Sequence, residues 1–211
     1  EFIDFVSDNY FYIQDSTLDR MDQDFNDLLA SFNLDEAQKL NEKLLQISRI
    51  FENTLYEARF LANQGRVEVA RQNWKSSIPY FDEALKIDTF NLNALYFRGY
   101  AYSQQEDYYH ALQDFDIITE KWPDLAVGHG NKGWYLLLEG KLFQARASCQ
   151  RAYELDSTSM SNAINLGHSY MLLGDTATAK RYYGKTMELL TSRQDYRTGL
   201  ADFDIFLKNG W

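Results

Sequence analysis

Glycine recurs in this chain at a fixed interval of 34 residues. The glycine column consists of Gly65, Gly99, Gly133 and Gly167. Three more columns keep the same register: a small-residue column (Ser77, Ala111, Ala145, Ala179), an aromatic column (Phe81, Phe115, Cys149, Tyr183) and a last column (Ala84, Ile118, Ala152, Thr186). Four positions in one register indicate an internal repeat, and such a repeat constrains the fold more strongly than composition does.

Each copy of the repeat contains two helical stretches joined by a polar bend. The first helices are expected at residues 58–71, 92–105, 126–139 and 160–173. The second helices are expected at residues 75–88, 109–121, 143–156 and 177–190. The bends contain QNW, QED, EGK and LGD, which are the polar and glycine-containing residues typical of helix–helix turns. Because a lone helix pair cannot bury both of its apolar faces, the pairs are expected to stack on one another.

This helix-pair repeat resembles the tetratricopeptide repeat. That family has a large apolar residue, Gly and Tyr in the first helix, and Ala, an aromatic and Ala in the second, often followed by Pro. The second copy has Leu95, Gly99, Tyr102, Ala111, Phe115 and Pro123 at these positions, and the fourth has Leu166, Gly167, Tyr170, Ala179 and Tyr183. The other two copies match less fully, because Glu68 takes the tyrosine position in the first, and His129 and Cys149 replace bulkier residues in the third.

The resemblance covers about residues 58–190 and implies an all-α fold, a right-handed α-solenoid of antiparallel helix pairs. The expected units are 58–91, 92–125, 126–159 and 160–190. A C-terminal capping helix is expected in residues 191–211, because Ala201 lies 34 residues after Gly167 and solenoids end in capping elements. Residues 1–57 form an acidic N-terminal extension with expected helices at 16–32 and 34–53. Lys43 would occupy the small-residue column there, so the sequence leaves open whether this segment is a degenerate repeat.

The charge of the chain is concentrated at its beginning. The net charge is −10, of which residues 1–57 carry −9 and residues 58–211 carry −1. Binding to nucleic acid requires a basic surface, so we expect no nucleic-acid partner. No apolar run reaches the roughly 20 residues that a membrane helix needs, so no membrane span is expected. The single cysteine, Cys149, allows no intrachain disulfide; this favours a cytoplasmic location and leaves a secreted or periplasmic one open.

The resemblance also implies a peptide-binding site. In tetratricopeptide arrays the second, fifth, sixth and ninth residues of each first helix tend to line a concave surface. The residues so placed, and expected to bind a peptide, are Arg59, Asn63, Arg66, Tyr96, Phe97, Tyr100, Asn131, Trp134, Asn165 and His168. The sixth position is asparagine in three copies, and an amide can pair with both groups of a peptide bond whatever the peptide's sequence. The aromatic residues would add an apolar patch of the kind that marks binding sites, unless the neighbouring units or the N-terminal segment cover it.

Some members of this family hold the carboxyl terminus of chaperones with a lysine at the fifth position and an asparagine at the ninth. The corresponding pairs here are Ala62 with Arg66, Tyr96 with Tyr100, and Gly130 with Trp134. We therefore expect no binding of that type.

Residues for catalysis, a metal or a cofactor are not apparent. His110, His129 and His168 lack the spacing of a metal site, and Cys149 falls in a packing column, where a core thiol is expected. No P-loop, GxGxxG or GxSxG motif occurs. The expected function is a non-catalytic adaptor that binds a protein or an extended peptide.

The alternative is a structural scaffold that self-assembles through its termini. The first fifteen residues alternate acidic residues with aromatic ones, namely Phe2, Phe5, Tyr10, Phe11 and Tyr12. This segment would either dock in a groove, its own or that of a second copy, or form a helix that caps the solenoid. Docking in a second copy would make the chain a homo-oligomer.

Overall fold

Ten α-helices and no strand make up the part of the chain that the computed structural model describes, residues 15–189. They are α1 (Asp15–Ala30), α2 (Leu34–Ile50), α3 (Thr54–Ala70), α4 (Trp74–Ile87), α5 (Leu92–Ser103), α6 (Tyr108–Lys121), α7 (Ala126–Leu138), α8 (Leu142–Leu155), α9 (Met160–Leu172) and α10 (Thr176–Leu189). They form two compact units, one with α1 to α5 and one with α6 to α10.

The repeat period predicted the helices of the repeat region closely. The helix α3 begins four residues before the expected start, and the other ends of α3 to α10 lie within two residues of the prediction. The two expected N-terminal helices are also present as α1 and α2. Residues 1–14 and the predicted C-terminal capping helix lie outside the described residues. The division of the chain into domains and repeat units stays a prediction.

Six helices end in the same kind of bend. After α1, α2, α3, α5, α7 and α9 one residue has a positive φ, and these residues are Phe32, Glu52, Gln72, Glu106, Gly140 and Gly174. At the bend after α3, for example, the Gln72 N–H donates to the Val69 carbonyl at 2.9 Å and the Asn73 N–H donates to the Glu68 carbonyl at 2.8 Å. This pattern satisfies the last carbonyls of a helix, and glycine is the residue that adopts it without strain.

The link between α2 and α3 differs from the links between repeat units. Within each compact unit, a second helix is joined to the next first helix by four residues, namely 88–91, 122–125 or 156–159, whereas only residues 51–53 separate α2 from α3. Asn91 and Ser159 end two of these longer links and accept hydrogen bonds from the N–H groups of Ala94 and Asn162, which fixes where α5 and α9 begin. The short link after α2 is an argument against a degenerate repeat in this region.

The repeat columns form the interior of both units. Every residue of the four columns is buried except Tyr183, which is partly buried. A Cβ added to Gly65 would lie 2.5 Å from Cε1 of Phe81, and one added to Gly167 would lie 2.6 Å from Cε1 of Tyr183. Glycine is therefore needed because the ring of the paired helix occupies the space that a side chain would take.

The sulfur of the chain's one cysteine lies in this interior. The Cys149 side chain is fully buried, and burial raises the pKa of its thiol to about 12. The burial confirms that Cys149 is a core residue, since a reactive cysteine is exposed and has a lowered pKa.

First helices lie side by side within each unit. The helix α3 contacts α5 in one unit, and α7 contacts α9 in the other. Each unit thus presents a surface made of two adjacent first helices, and the predicted site residues lie on these helices.

Candidate peptide-binding surfaces

The helix α1 covers the predicted site residues on α3. The Arg59 guanidinium donates to Asp19 at 2.7 Å and lies 3.8 Å from the Asp22 carboxylate. Asp22 also accepts a hydrogen bond of 2.6 Å from Nδ2 of Asn63. The Arg59 guanidinium, followed by the Tyr56 side chain, lowers the pKa of the Asp19 carboxyl. Two carboxylates of α1 therefore bind two successive site positions of α3.

The third site residue of α3 lies between two aromatic rings. The Arg66 guanidinium is 5.5 Å from the ring centre of Phe25 in α1 and 5.3 Å from that of Phe97 in α5. It also donates to Oδ1 of Asn63 at 2.8 Å. Burial lowers the pKa of Arg66, and the charge of Asp22 opposes this shift. The Nε of Arg66 is buried and has no hydrogen-bond partner within residues 15–189.

These contacts correct the prediction for Asn63. Its side chain is only 1% exposed and both ends of its amide are bonded within the protein, so it offers nothing to an outside peptide in this arrangement. Residues 1–15, for which docking was one of the two expected alternatives, lie almost wholly outside the described residues. The contact that the structure shows is made by α1, whose Asp19, Asp22 and Phe25 follow one another at intervals of three residues.

The predicted aromatic residues of α5 form a cluster. We call Tyr96, Phe97 and Tyr100 the aromatic surface. The Phe97 ring stacks on Phe81 at 6.5 Å and meets Tyr96 edge to face at 5.2 Å. Tyr100 meets Trp74 of α4 edge to face at 5.7 Å, a neighbour that the sequence analysis missed. All three residues of the aromatic surface are partly buried, so each of them both packs on the unit and reaches its surface.

Two asparagines and a tryptophan of the second unit lie on adjacent helices. We call Asn131, Trp134 and Asn165 the amide surface. Nδ2 of Asn131 donates to the Val127 carbonyl at 2.8 Å, and Nδ2 of Asn165 donates to the Gly130 carbonyl at 3.5 Å. Within the described residues, neither Oδ1 atom accepts a hydrogen bond. Each amide is thus oriented by its own nitrogen and keeps its oxygen for another donor.

His168 lies in the interior instead of on the predicted surface. Its side chain has no exposed area, and Nδ1 is 2.8 Å from the hydroxyl of Tyr183. The Trp134 ring lies 6.4 Å from the imidazole. The prediction that His168 contacts a peptide is therefore corrected. His168 is a packing residue whose ring lies next to that of Trp134.

Neither a metal cluster nor a membrane-spanning helix is found in the described range. No three His, Cys, Asp or Glu side chains of residues 15–189 are grouped so that they could hold a metal ion. In the same range, every helix is too short or too polar to cross a membrane.

The tetratricopeptide repeat family profile matches residues 162–189, which include the fourth set of repeat columns. This stretch of the chain is therefore similar to a tetratricopeptide repeat. A curated relative, the heat shock protein sti1 homolog of Schizosaccharomyces pombe, is 31% identical over 100 residues. The matched stretch is 47% of this chain and 17% of that relative.

Two solved structures resemble this chain in fold. MamA 41-end from Desulfovibrio magneticus RS-1 has a TM-score of 0.68 and 20% identity, covering 82% of this chain and 94% of that one. YrrB, described as a TPR protein with an unusual peptide-binding site, has a TM-score of 0.65 and 19% identity, covering 85% and 88%. They confirm the predicted fold class, an all-α solenoid of antiparallel helix pairs.

Proposed function

We propose that this chain is a non-catalytic adaptor that binds an extended segment of another protein on its amide surface. The observation that carries the proposal is the pair of Oδ1 atoms on Asn131 and Asn165, which accept no hydrogen bond from the described part of the chain. Each would accept an N–H from the backbone of the bound segment.

The surroundings of the two asparagines suit a peptide backbone. Gly130 lies in α7 and faces α9 without a side chain; a Cβ there would approach Oδ1 of Asn162 in α9 to 2.9 Å. Nδ2 of Asn165, also in α9, reaches the backbone carbonyl of Gly130. Trp134, which is partly buried against His168, supplies an apolar surface beside the two amides. Specificity for side chains would come from this ring, since the amides pair with any sequence.

The aromatic surface of the other unit is a further part of the proposed binding function. Tyr96 and Tyr100 are partly buried and present large, rigid rings, which are enriched at the centre of protein interfaces. The proposal includes a cytoplasmic location, because the single thiol, Cys149, needs no oxidising compartment.

Substitution of the two asparagines tests the proposal. The wild-type chain would be used to capture partners from the source cell, and the segment that binds would be made as a synthetic peptide. Two lost hydrogen bonds of about 1 kcal/mol each correspond to a loss of affinity of roughly 30-fold. We therefore expect Asn131→Ala/Asn165→Ala to weaken peptide binding by about that factor in a calorimetric titration.

The matched control removes two exposed amides from second helices of the same unit. Gln113 and Gln144 lie on α6 and α8, so Gln113→Ala/Gln144→Ala should leave the affinity unchanged. Equal affinities of the wild type and the asparagine variant would refute the proposed role of the amide surface.

A further inference from the structure

We propose that Arg59, Asn63 and Arg66 of α3 form a second docking site, the α3 site, which takes an amphipathic helix from another protein. The helix that fits carries two carboxylates three residues apart and an aromatic ring three residues further on. In the described arrangement α1 fills the site and must be displaced before a partner binds. This inference goes beyond the amide surface, which lies in the other unit, and it stands even if that surface binds nothing.

The contacts between α1 and α3 are polar and residue-specific. Three polar residues on successive turns of α3 each meet a different residue of α1, through an ion pair of 2.7 Å, a hydrogen bond of 2.6 Å and a cation–π contact of 5.5 Å. A cap that only shields apolar surface would need none of these, whereas charge complementarity gives a binding site its specificity. The α3 site thus selects for acidic and aromatic residues at fixed positions.

The helix α1 is poorly suited to exist on its own. Five of its 16 residues are aspartate, and no basic residue lies in its last turn. Aspartate has low helix propensity, and an acidic residue such as Asp27 near a C-terminus opposes the helix dipole. The helical state of α1 therefore depends on its contacts, among them the burial of Leu18 and Phe25. A segment of this kind can be exchanged for a better helix with the same three contacts.

The α3 site is also incompletely satisfied by α1. The buried Nε of Arg66 has no hydrogen-bond partner in the described part of the chain. A partner helix with a carboxylate near the position of Phe25 would satisfy this donor. Such a helix would make every contact that α1 makes and one more, which is the condition for displacing it.

The test uses a labelled peptide of residues 15–30 and the full-length chain. Asp19→Ala/Asp22→Ala weakens the hold of α1 without lowering its helix propensity, since alanine is the best helix former. The matched control is Asp24→Ala/Asp27→Ala, which makes the same change at two exposed residues of the same helix. A tethered helix competes at an effective concentration in the millimolar range, so the wild type and the control should bind the peptide weakly.

We expect the Asp19→Ala/Asp22→Ala chain to bind the peptide about tenfold more tightly than the wild type or the Asp24→Ala/Asp27→Ala control. Fluorescence anisotropy of the labelled peptide measures the three affinities. A further Arg59→Ala substitution in that chain should abolish the gain, and a peptide with alanine at positions 19, 22 and 25 should not bind. Circular dichroism shows whether each variant keeps its helices.

Equal affinities for the three chains, or binding that persists without Arg59, would overturn the proposal. Sedimentation of the wild type at rising concentration provides a separate outcome. A dimer that dissociates on Asp19→Ala/Asp22→Ala substitution would make a second copy the occupant of the α3 site and would refute the assignment to another protein.

Discussion

Replacement of Gly133 by alanine tests whether close helix approach explains the glycine column. A Cβ at this position would overlap Sγ of Cys149 and lie 3.0 Å from the Cys149 nitrogen and 3.4 Å from the Ala145 oxygen. Because two of these atoms are backbone, α7 and α8 would have to separate, and overpacking of this kind costs about 1–3 kcal/mol. Alanine gains about 1 kcal/mol over glycine in a helix. We expect a net loss of up to about 2 kcal/mol.

Gly184 is the matched control, because it lies in α10 of the same unit and a Cβ there would meet nothing within 4 Å. Gly184→Ala should therefore stabilise the chain by up to about 1 kcal/mol. Urea unfolding followed by circular dichroism at 222 nm compares the midpoints of the two variants at equal slope.

A second substitution locates the strain at the sulfur. Cys149→Ala alone should destabilise the wild type by about 1 kcal/mol, yet it should raise the stability of Gly133→Ala by relieving the overlap. Such non-additivity is expected for residues in contact. If Gly133→Ala were as stable as Gly184→Ala, the argument that packing requires the glycine column would be wrong.

Three further predictions concern the bends, the thiol and α1. Gln72→Gly and Glu106→Gly should each raise the free energy of unfolding by about 1 kcal/mol, because both residues have a positive φ. Gly140→Ala should lower the free energy of unfolding, because Gly140 also has a positive φ. Thermal melting of the three variants checks these predictions. The Cys149 thiol should react with a disulfide reagent only in denaturant, because it is buried and has its pKa raised to about 12. The pKa of the Asp19 carboxyl is lowered from 3.8. The contribution of Asp19 to holding α1 should therefore persist from neutral pH down to about 3.8 and be lost as the pH falls further. Amide hydrogen exchange in residues 15–30, measured as a function of pH, would detect this loss.

The repeat period was sufficient to predict the helices and the packing columns. The contact between Gly133 of the glycine column and Cys149 of the aromatic column follows from residue spacing alone, because the same helix pair recurs and each copy repeats its contacts. The bends were only partly predictable. Gly140 and Gly174 mark left-handed positions in the sequence, but Gln72 and Glu106 adopt the same conformation without a residue type that indicates it.

The occupation of the α3 site could not be predicted in the same way. It depends on Asp22 and Asn63, which are far apart in the chain and lie outside the four repeat columns. The burial of His168, in contrast, was indicated by a residue in the sequence that was overlooked. Tyr183 carries a hydroxyl in a column where other copies have Phe or Cys, and that hydroxyl holds the imidazole inside.

Amide hydrogen exchange with and without the captured peptide tests the central claim, that a partner segment binds along the first helices. The predicted result is protection of residues 126–138 and 160–172, which form α7 and α9. Exchange in α8 and α10 should change little. Protection confined to α8 and α10 would contradict the account, because it would place the partner on the second helices.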